Sequence, residues 1–253
     1  MTTHRPQALK ADPSVQVPQV AMVMAAGLGK RMRPLTATRP KPLVEVAGKP
    51  LIDHCFDRLR AAGVKKAVVN VHYLADALEA HLKHRVSGME IAVSDEREQL
   101  LETGGGLIKA LPLIDADPFL VVNSDNLWVD GAADSLRLLA ANWDDARMDA
   151  LLLLVPLSRA HCHKGQGDFH MAPGGQLRRR KAGTVAPFVY TGIQIVSKRL
   201  LAGEHPGGAF STNIFWDQAI EKGRLFGIAH EGLWFDVGAP ENIRKTEEIL
   251  AGV

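Results

Sequence analysis

The apolar run Val20–Ala25 stops at Gly27-Leu28-Gly29, and the cationic side chains Lys30, Arg31, Arg33 and Arg39 follow it. A short, uninterrupted apolar run is a strand buried on both faces, and such strands belong to sheets covered by helices. Glycines at its end let backbone N–H groups turn toward an anion and approach it closely. Arginine and lysine add full charges that match phosphate oxygens. A further cation, Lys41, stands between Pro40 and Pro42. The segment is equipped to hold a triphosphate at the carboxyl end of a strand.

Two familiar phosphate loops do not fit it. The pattern G-x-x-x-x-G-K-[ST] is missing. The dinucleotide form G-x-G-x-x-G lacks its third glycine, because position 32 is Met.

Downstream, apolar strand-like runs alternate with stretches at helical spacing. Helices are predicted at Leu51–Ala62, Ala75–His84, Thr103–Leu111 and Asp134–Asn142, and strands at Lys66–Val71, Met89–Ser94, Pro118–Asn123 and Ala150–Leu157. This rhythm predicts an α/β fold with a doubly wound, mostly parallel sheet. After residue 157 the rhythm becomes β-rich, with Pro173-Gly174-Gly175 as a hairpin signal, then a helix near Thr212–Lys222, strands to Val237 and a last helix from Pro240. A mobile arm is expected at 1–19 and one domain over 20–253. Within it, 20–157 forms a nucleotide-binding half, and 158–253 forms a second half that caps its open edge.

Composition narrows the partners. A formal net charge of +2 gives no footing for nucleic acid. No apolar run reaches the length of a membrane span. Cys55 and Cys162 make no disulfide framework, so a cytoplasmic setting is expected. The oligomeric expectation is a monomer or a homodimer.

Ligands of open α/β sheets bind beyond the carboxyl ends of the strands. Asp125 ends the apolar run 119–123 through Asn123-Ser124, and Asp236 ends Leu233-Trp234-Phe235. Two such carboxylates can share one Mg²⁺ with phosphate oxygens. Each also has a plain alternative, Asp125 as a turn residue and Asp236 as a helix cap.

The pattern A-A-G-x-G-x-R-M-x-P-L-T over Ala25–Thr36, followed by Pro40-Lys41-Pro42-Leu43, resembles the signature of sugar-phosphate nucleotidyltransferases. Val122-Asn123-Ser124-Asp125 and Trp234-Phe235-Asp236-Val237-Gly238-Ala239-Pro240-Glu241 are similar to that family's metal-binding motifs, with Ser124 in place of glycine and Ala239 in place of threonine. Glu98-Gln99-Leu100-Leu101-Glu102-Thr103-Gly104-Gly105-Gly106 resembles one branch, bacterial enzymes of cell-wall recycling that join UTP to N-acetylmuramic acid 1-phosphate.

The resemblance implies a Rossmann-like nucleotidyltransferase fold with a small β-rich sugar-binding cap. It implies transfer of a nucleoside monophosphate to a sugar 1-phosphate with release of pyrophosphate. Ala25, Ala26, Gly27, Gly29, Lys30, Arg31, Glu96, Thr103 and Gly104 are then expected at the nucleotide. Lys41, Asn123, Asp168, Gly192 and Asn213 are expected at the sugar phosphate. Arg31, Lys41 and Asp125 are the expected catalytic residues, and Asp125 and Asp236 the Mg²⁺ ligands. Mannose 1-phosphate with GTP, or glucose 1-phosphate with dTTP or UTP, is the alternative substrate pair. A non-catalytic nucleotide-sugar sensor is the alternative of another class. His161-Cys162-His163 lacks the spacing of a structural zinc site.

Overall fold

A computed structural model of the protein describes residues 15–252. In chain order the elements are β1 (Val20–Met24), the hairpin β2 (Glu45–Val46) and β3 (Lys49–Pro50), α1 (Leu51–Ala61), β4 (Lys66–Val71), α2 (Ala75–Arg85), β5 (Glu90–Asp95), α3 (Glu102–Ala110), β6 (Phe119–Asn123), β7 (Asn126–Val129) and α4 (Ser135–Asn142). There follow β8 (Ala150–Pro156), β9 (Ala160–His161), β10 (Phe169–Met171), β11 (Leu177–Arg179), β12 (Phe188–Val196), α5 (Lys198–Leu201), α6 (Asn213–Glu221), β13 (Leu225–Ala229), β14 (Leu233–Asp236) and α7 (Pro240–Leu250).

β5, β4, β1 and β6 lie side by side and parallel, the first half of a doubly wound sheet. Alternate side chains of β1 enter different cores. Ala21 and Val23 face α1, α2 and α4 through Phe56, Leu59, Leu78, Leu82, Leu136 and Leu139. Val20 and Met22 face α3, α5 and α6 through Leu107, Leu200, Phe215 and Trp216. Burial on both faces explains why β1 reads as a continuous apolar run.

The segment expected as a cap is woven into this sheet. β12 lies antiparallel between β6 and β8, and the β10–β11 hairpin hangs from the start of β12. Asp236 is not on the main sheet. β14 pairs with β7 and β9 in a separate three-stranded sheet. β7 was not anticipated; it follows β6 after a turn of two residues, and its short Leu127-Trp128-Val129 run is too brief to announce a strand.

Residues 1–14 of the expected arm lie outside the described residues. Residues 15–19 are packed, a correction to the arm's boundary. Val17 is buried in the core, and the Gln19 carbonyl accepts from the N–H groups of Lys65 and Lys66.

Candidate active site

β1 is followed by a crossover toward β4, whereas β6 lies on its other side, so the sheet has its switch point between the carboxyl ends of β1 and β6. A cavity of about 400 Å³ opens there, lined by Met24 to Gly27, Lys41, Pro42, Asn70, Leu100, Glu102, Thr103, Asn123 to Asp125 and Ser211.

The phosphate loop has the conformation its glycines permit. Gly29 is left-handed, with φ 60°, and a Cβ there would lie 3.0 Å from Thr36 Cγ2 and 3.1 Å from Lys41 Cβ. Thr36 closes the loop by donating its hydroxyl to the Gly29 carbonyl at 2.8 Å. Among the described residues, the N–H groups of residues 27–30 donate to no protein acceptor. Lys30–Met32 forms a 3₁₀ turn in which Met32 is fully buried while Lys30 and Arg31 stay exposed. Met32 packs in a third core with Leu127, Phe235 and Val237. Burying a methionine contributes about 1.5–3 kcal/mol. The turn carrying Arg31 is thereby anchored to β7 and β14.

The same packing brings the acids together. Asp236 lies directly across from Asn126 in the β14–β7 ladder, next to Asp125. Lys41 Nζ donates to Asp125 Oδ2 at 2.6 Å. A Cβ on Gly238 would lie 2.8 Å from Asp236 Oδ1 and 3.3 Å from each terminal nitrogen of Arg31. A hydrogen bond from His163 holds the Asp236 carboxyl below the usual carboxylate range against the opposing effect of burial, and the nearby charges of Lys41 and Arg31 add to it.

This donor set fits a divalent cation of the Mg²⁺ kind. It offers hard carboxylate oxygens, both acids stay partly open, and both already lie in a cationic field. Among the described residues no cluster of three or more His, Cys, Asp or Glu forms a closed cage. Mg²⁺ needs none, because it is held by one or two carboxylates together with substrate phosphates.

On the nucleotide side the structure corrects two expectations. Glu96 does not face the cavity. It is fully buried, with Oε1 accepting from Asn70 Nδ2 at 2.8 Å and Oε2 from the Leu101 N–H at 3.1 Å. Asn70 Oδ1 in turn accepts from the Ala25 N–H at 2.6 Å. Glu96 therefore ties the loop before α3 to the phosphate loop through Asn70 and cannot read a base edge. Gly104 does not line the cavity either. Its N–H donates to the Phe210 carbonyl, and a Cβ would lie 2.5 Å from the Phe210 ring. Thr103 does line the cavity, and its hydroxyl accepts from the Thr212 N–H at 2.9 Å.

Sequence reasoning missed Asn70 and Glu102. A lone Asn inside the apolar run of β4 is a buried polar group that needs partners, and that signal was available. Glu102 lines the cavity at a left-handed φ of 58°, which no local pattern announces.

On the sugar side, Asn123 lines the cavity and Asn213 a smaller adjoining one with Tyr190 and Trp216. Gly192 sits at a bulge in β12 with φ 83°, and a Cβ there would strike Asn126 Nδ2 and lie 2.9 Å from Asn123 Nδ2. Asp168 is engaged elsewhere, a correction to its expected place at a hexose. Its Oδ2 accepts from the Tyr190 N–H at 2.8 Å and fixes the start of β12. The Ser124 hydroxyl donates to the Met24 carbonyl at 2.8 Å, joining the ends of β1 and β6.

Residues 20–161 match the family model described as nucleotidyl transferase. The chain belongs to this family. As a nucleotidyltransferase it is 47% identical, over 93% of its length and 98% of the relative's, to N-acetylmuramate alpha-1-phosphate uridylyltransferase of Caulobacter vibrioides. It is 36% identical, over 92% of its length and 98% of the relative's, to the protein of that name in Neisseria meningitidis. In fold it is similar to the inositol-1-phosphate CTP transferase of T. maritima, with a TM-score of 0.75, 18% identity, and coverage of 93% and 96% of the two chains.

Proposed function

We propose that this nucleotidyltransferase moves UMP from UTP to N-acetylmuramic acid 1-phosphate and releases pyrophosphate. The observation that carries the reading is the contact of Lys41 with Asp125 in the cavity, with Asp236 in the field of both Lys41 and Arg31. The choice of base and sugar rests on the two relatives that match nearly the whole chain.

A phosphate monoester oxygen of the sugar substrate attacks the α-phosphorus of UTP. A new P–O bond forms there as the bridging bond to the β-phosphate breaks, and pyrophosphate leaves. The nucleophile is largely dianionic at neutral pH, since a phosphate monoester's second pKa is about 6, so no general base is required. Charge is the obstacle. Arg31 and the open N–H groups of residues 27–30 receive the negative charge that develops on pyrophosphate. Lys41, now on Asp125, lies beside the loop where the α-phosphate and the attacking phosphate meet. Asp125 and Asp236 would hold Mg²⁺, which when bound supplies positive charge to phosphate oxygens.

The sugar contacts fall to Asn123, Asn213 and the Gly192 bulge. A cytoplasmic setting suits UTP and the two unpaired cysteines. No helix among the described residues is long and apolar enough to cross a membrane.

The test is a pyrophosphate-release screen of UTP, GTP, CTP and dTTP crossed with N-acetylmuramic acid, mannose, glucose and N-acetylglucosamine 1-phosphates. The highest kcat/KM is expected for UTP with N-acetylmuramic acid 1-phosphate. A tenfold or greater preference for another pair, judged against an interaction of about 1.4 kcal/mol, contradicts it.

A further inference from the structure

His161-Cys162-His163 is not a metal cluster, yet the chain goes to some length to place it. β9 runs parallel to β14 with His161 opposite Phe235, and the two rings stack at 5.2 Å. Cys162 then takes a left-handed φ of 64°, a conformation that costs a non-glycine residue energy. The turn sends His163 back toward the end of β14, where its Nδ1 lies 3.3 Å from Asp236 Oδ2. Asn242 ties the two backbones, donating to the carbonyls of Asp236 at 2.9 Å and Cys162 at 3.4 Å. Gly165 makes room for the ring, since a Cβ there would lie 2.3 Å from His163 Nε2.

Among the described residues, that Nε2 is buried without a partner. A proton on Nδ1 therefore donates to Asp236 and leaves only a lone pair in the unpartnered position, whereas the other tautomer would strand an N–H. The left-handed cysteine, the glycine gap and the asparagine clamp have one common effect, which is to hold an imidazole N–H on one oxygen of Asp236. The other oxygen, Oδ1, is on the side of Gly238, which the Arg31 guanidinium also borders.

We propose that His163 is a positioning residue that reserves Asp236 Oδ2, so that the carboxylate offers a single oxygen to the divalent cation. This rests on the reading of Asp236 as a ligand of that ion. One-oxygen binding suits Mg²⁺, whose octahedral shell is strict, whereas Ca²⁺ accepts both oxygens of a carboxylate. His163 thus sets ion selectivity through Asp236.

The experiment titrates Mg²⁺ and Ca²⁺ by calorimetry into the full chain saturated with α,β-methylene UTP. His163→Asn can place an amide N–H where Nδ1 stands; His163→Gln carries the same group to a different reach. His163→Gln is expected to weaken Mg²⁺ binding about tenfold or more while Ca²⁺ binding holds within about threefold, and His163→Asn to keep both near wild type. Gly165→Ala, which pushes the ring off Asp236 with the imidazole intact, is expected to shift the ratio as His163→Gln does, and it serves if that variant fails to fold. Unchanged Mg²⁺ affinity, equal loss of both ions, or an Asn variant that behaves as Gln overturns the proposal. Asp236→Asn with unchanged ion affinity would instead break the underlying reading of the metal site.

Discussion

Lys41 Nζ lies 2.6 Å from Asp125 Oδ2, although the two residues are separated by 84 positions. The lysine comes from the turn that follows the phosphate loop and the acid from the end of β6. One cation thus stands between a carboxylate suited to a metal ion and the loop suited to phosphate. Lys41→Met is expected to lower pyrophosphate release about 10²- to 10³-fold, the usual consequence of losing one preorganised donor. A loss under tenfold would remove Lys41 from the chemistry.

Arg31 is held at the cleft by the burial of Met32 beside it and lies close to Gly238 and Asp236. Arg31→Ala is expected to cost on the order of 10³ in rate, as for arginines that stabilise phosphoryl transfer. Arg31→Lys should recover little, because an ammonium lacks the planar fork. Single-turnover rates at saturating UTP check this, and a normal rate in either variant contradicts it.

Glu96 supports the site from behind. Glu96→Gln turns an acceptor into a donor beside the Leu101 N–H or Asn70 Nδ2, and a loss of about 1–3 kcal/mol in folding stability is expected. The ratio of kcat/KM for UTP over GTP should stay within about threefold of wild type, since that carboxylate does not line the cavity. Denaturant melts and the two-substrate comparison together check this, and a switched base preference would restore Glu96 to the base pocket.

Much of this was legible in the sequence, and the limit has a physical form. The phosphate loop, Lys41, Asp125 and Asp236 announce themselves locally, as charge or glycine at the end of an apolar strand. Gly104 and Asp168 were misread because their partners, Phe210 and the Tyr190 N–H, are remote in sequence. Asn70 acts only because β4 pairs with β1, which sets its amide beside the Ala25 N–H. His163 gains meaning only from the separate β7–β14–β9 sheet, a pairing that no periodicity encodes.

A buried histidine makes stability depend on pH. Burial pushes His230 below its ordinary value of 6.5, and its ring lies 3.1 Å from the Ser135 hydroxyl and 3.1 Å from the Leu233 carbonyl. The unfolded chain takes up this proton first as pH falls, so the contribution is full above about 6.5 and is lost progressively below it, down to the lowered native value. Melting temperatures of wild type and His230→Asn should converge between pH 7.5 and pH 5.5, a range spanning the ordinary histidine value of about 6.5. A gap that widens on acidification contradicts the sign.

The most direct test uses Asp125→Asn, a change of one oxygen at the acid that Lys41 now holds. Pyrophosphate release from UTP and N-acetylmuramic acid 1-phosphate is measured across a Mg²⁺ titration, with circular dichroism to verify the fold. A folded variant slowed about 10³-fold or more at every Mg²⁺ concentration is the predicted result. A folded variant that turns over at the wild-type rate with the wild-type Mg²⁺ dependence would contradict it.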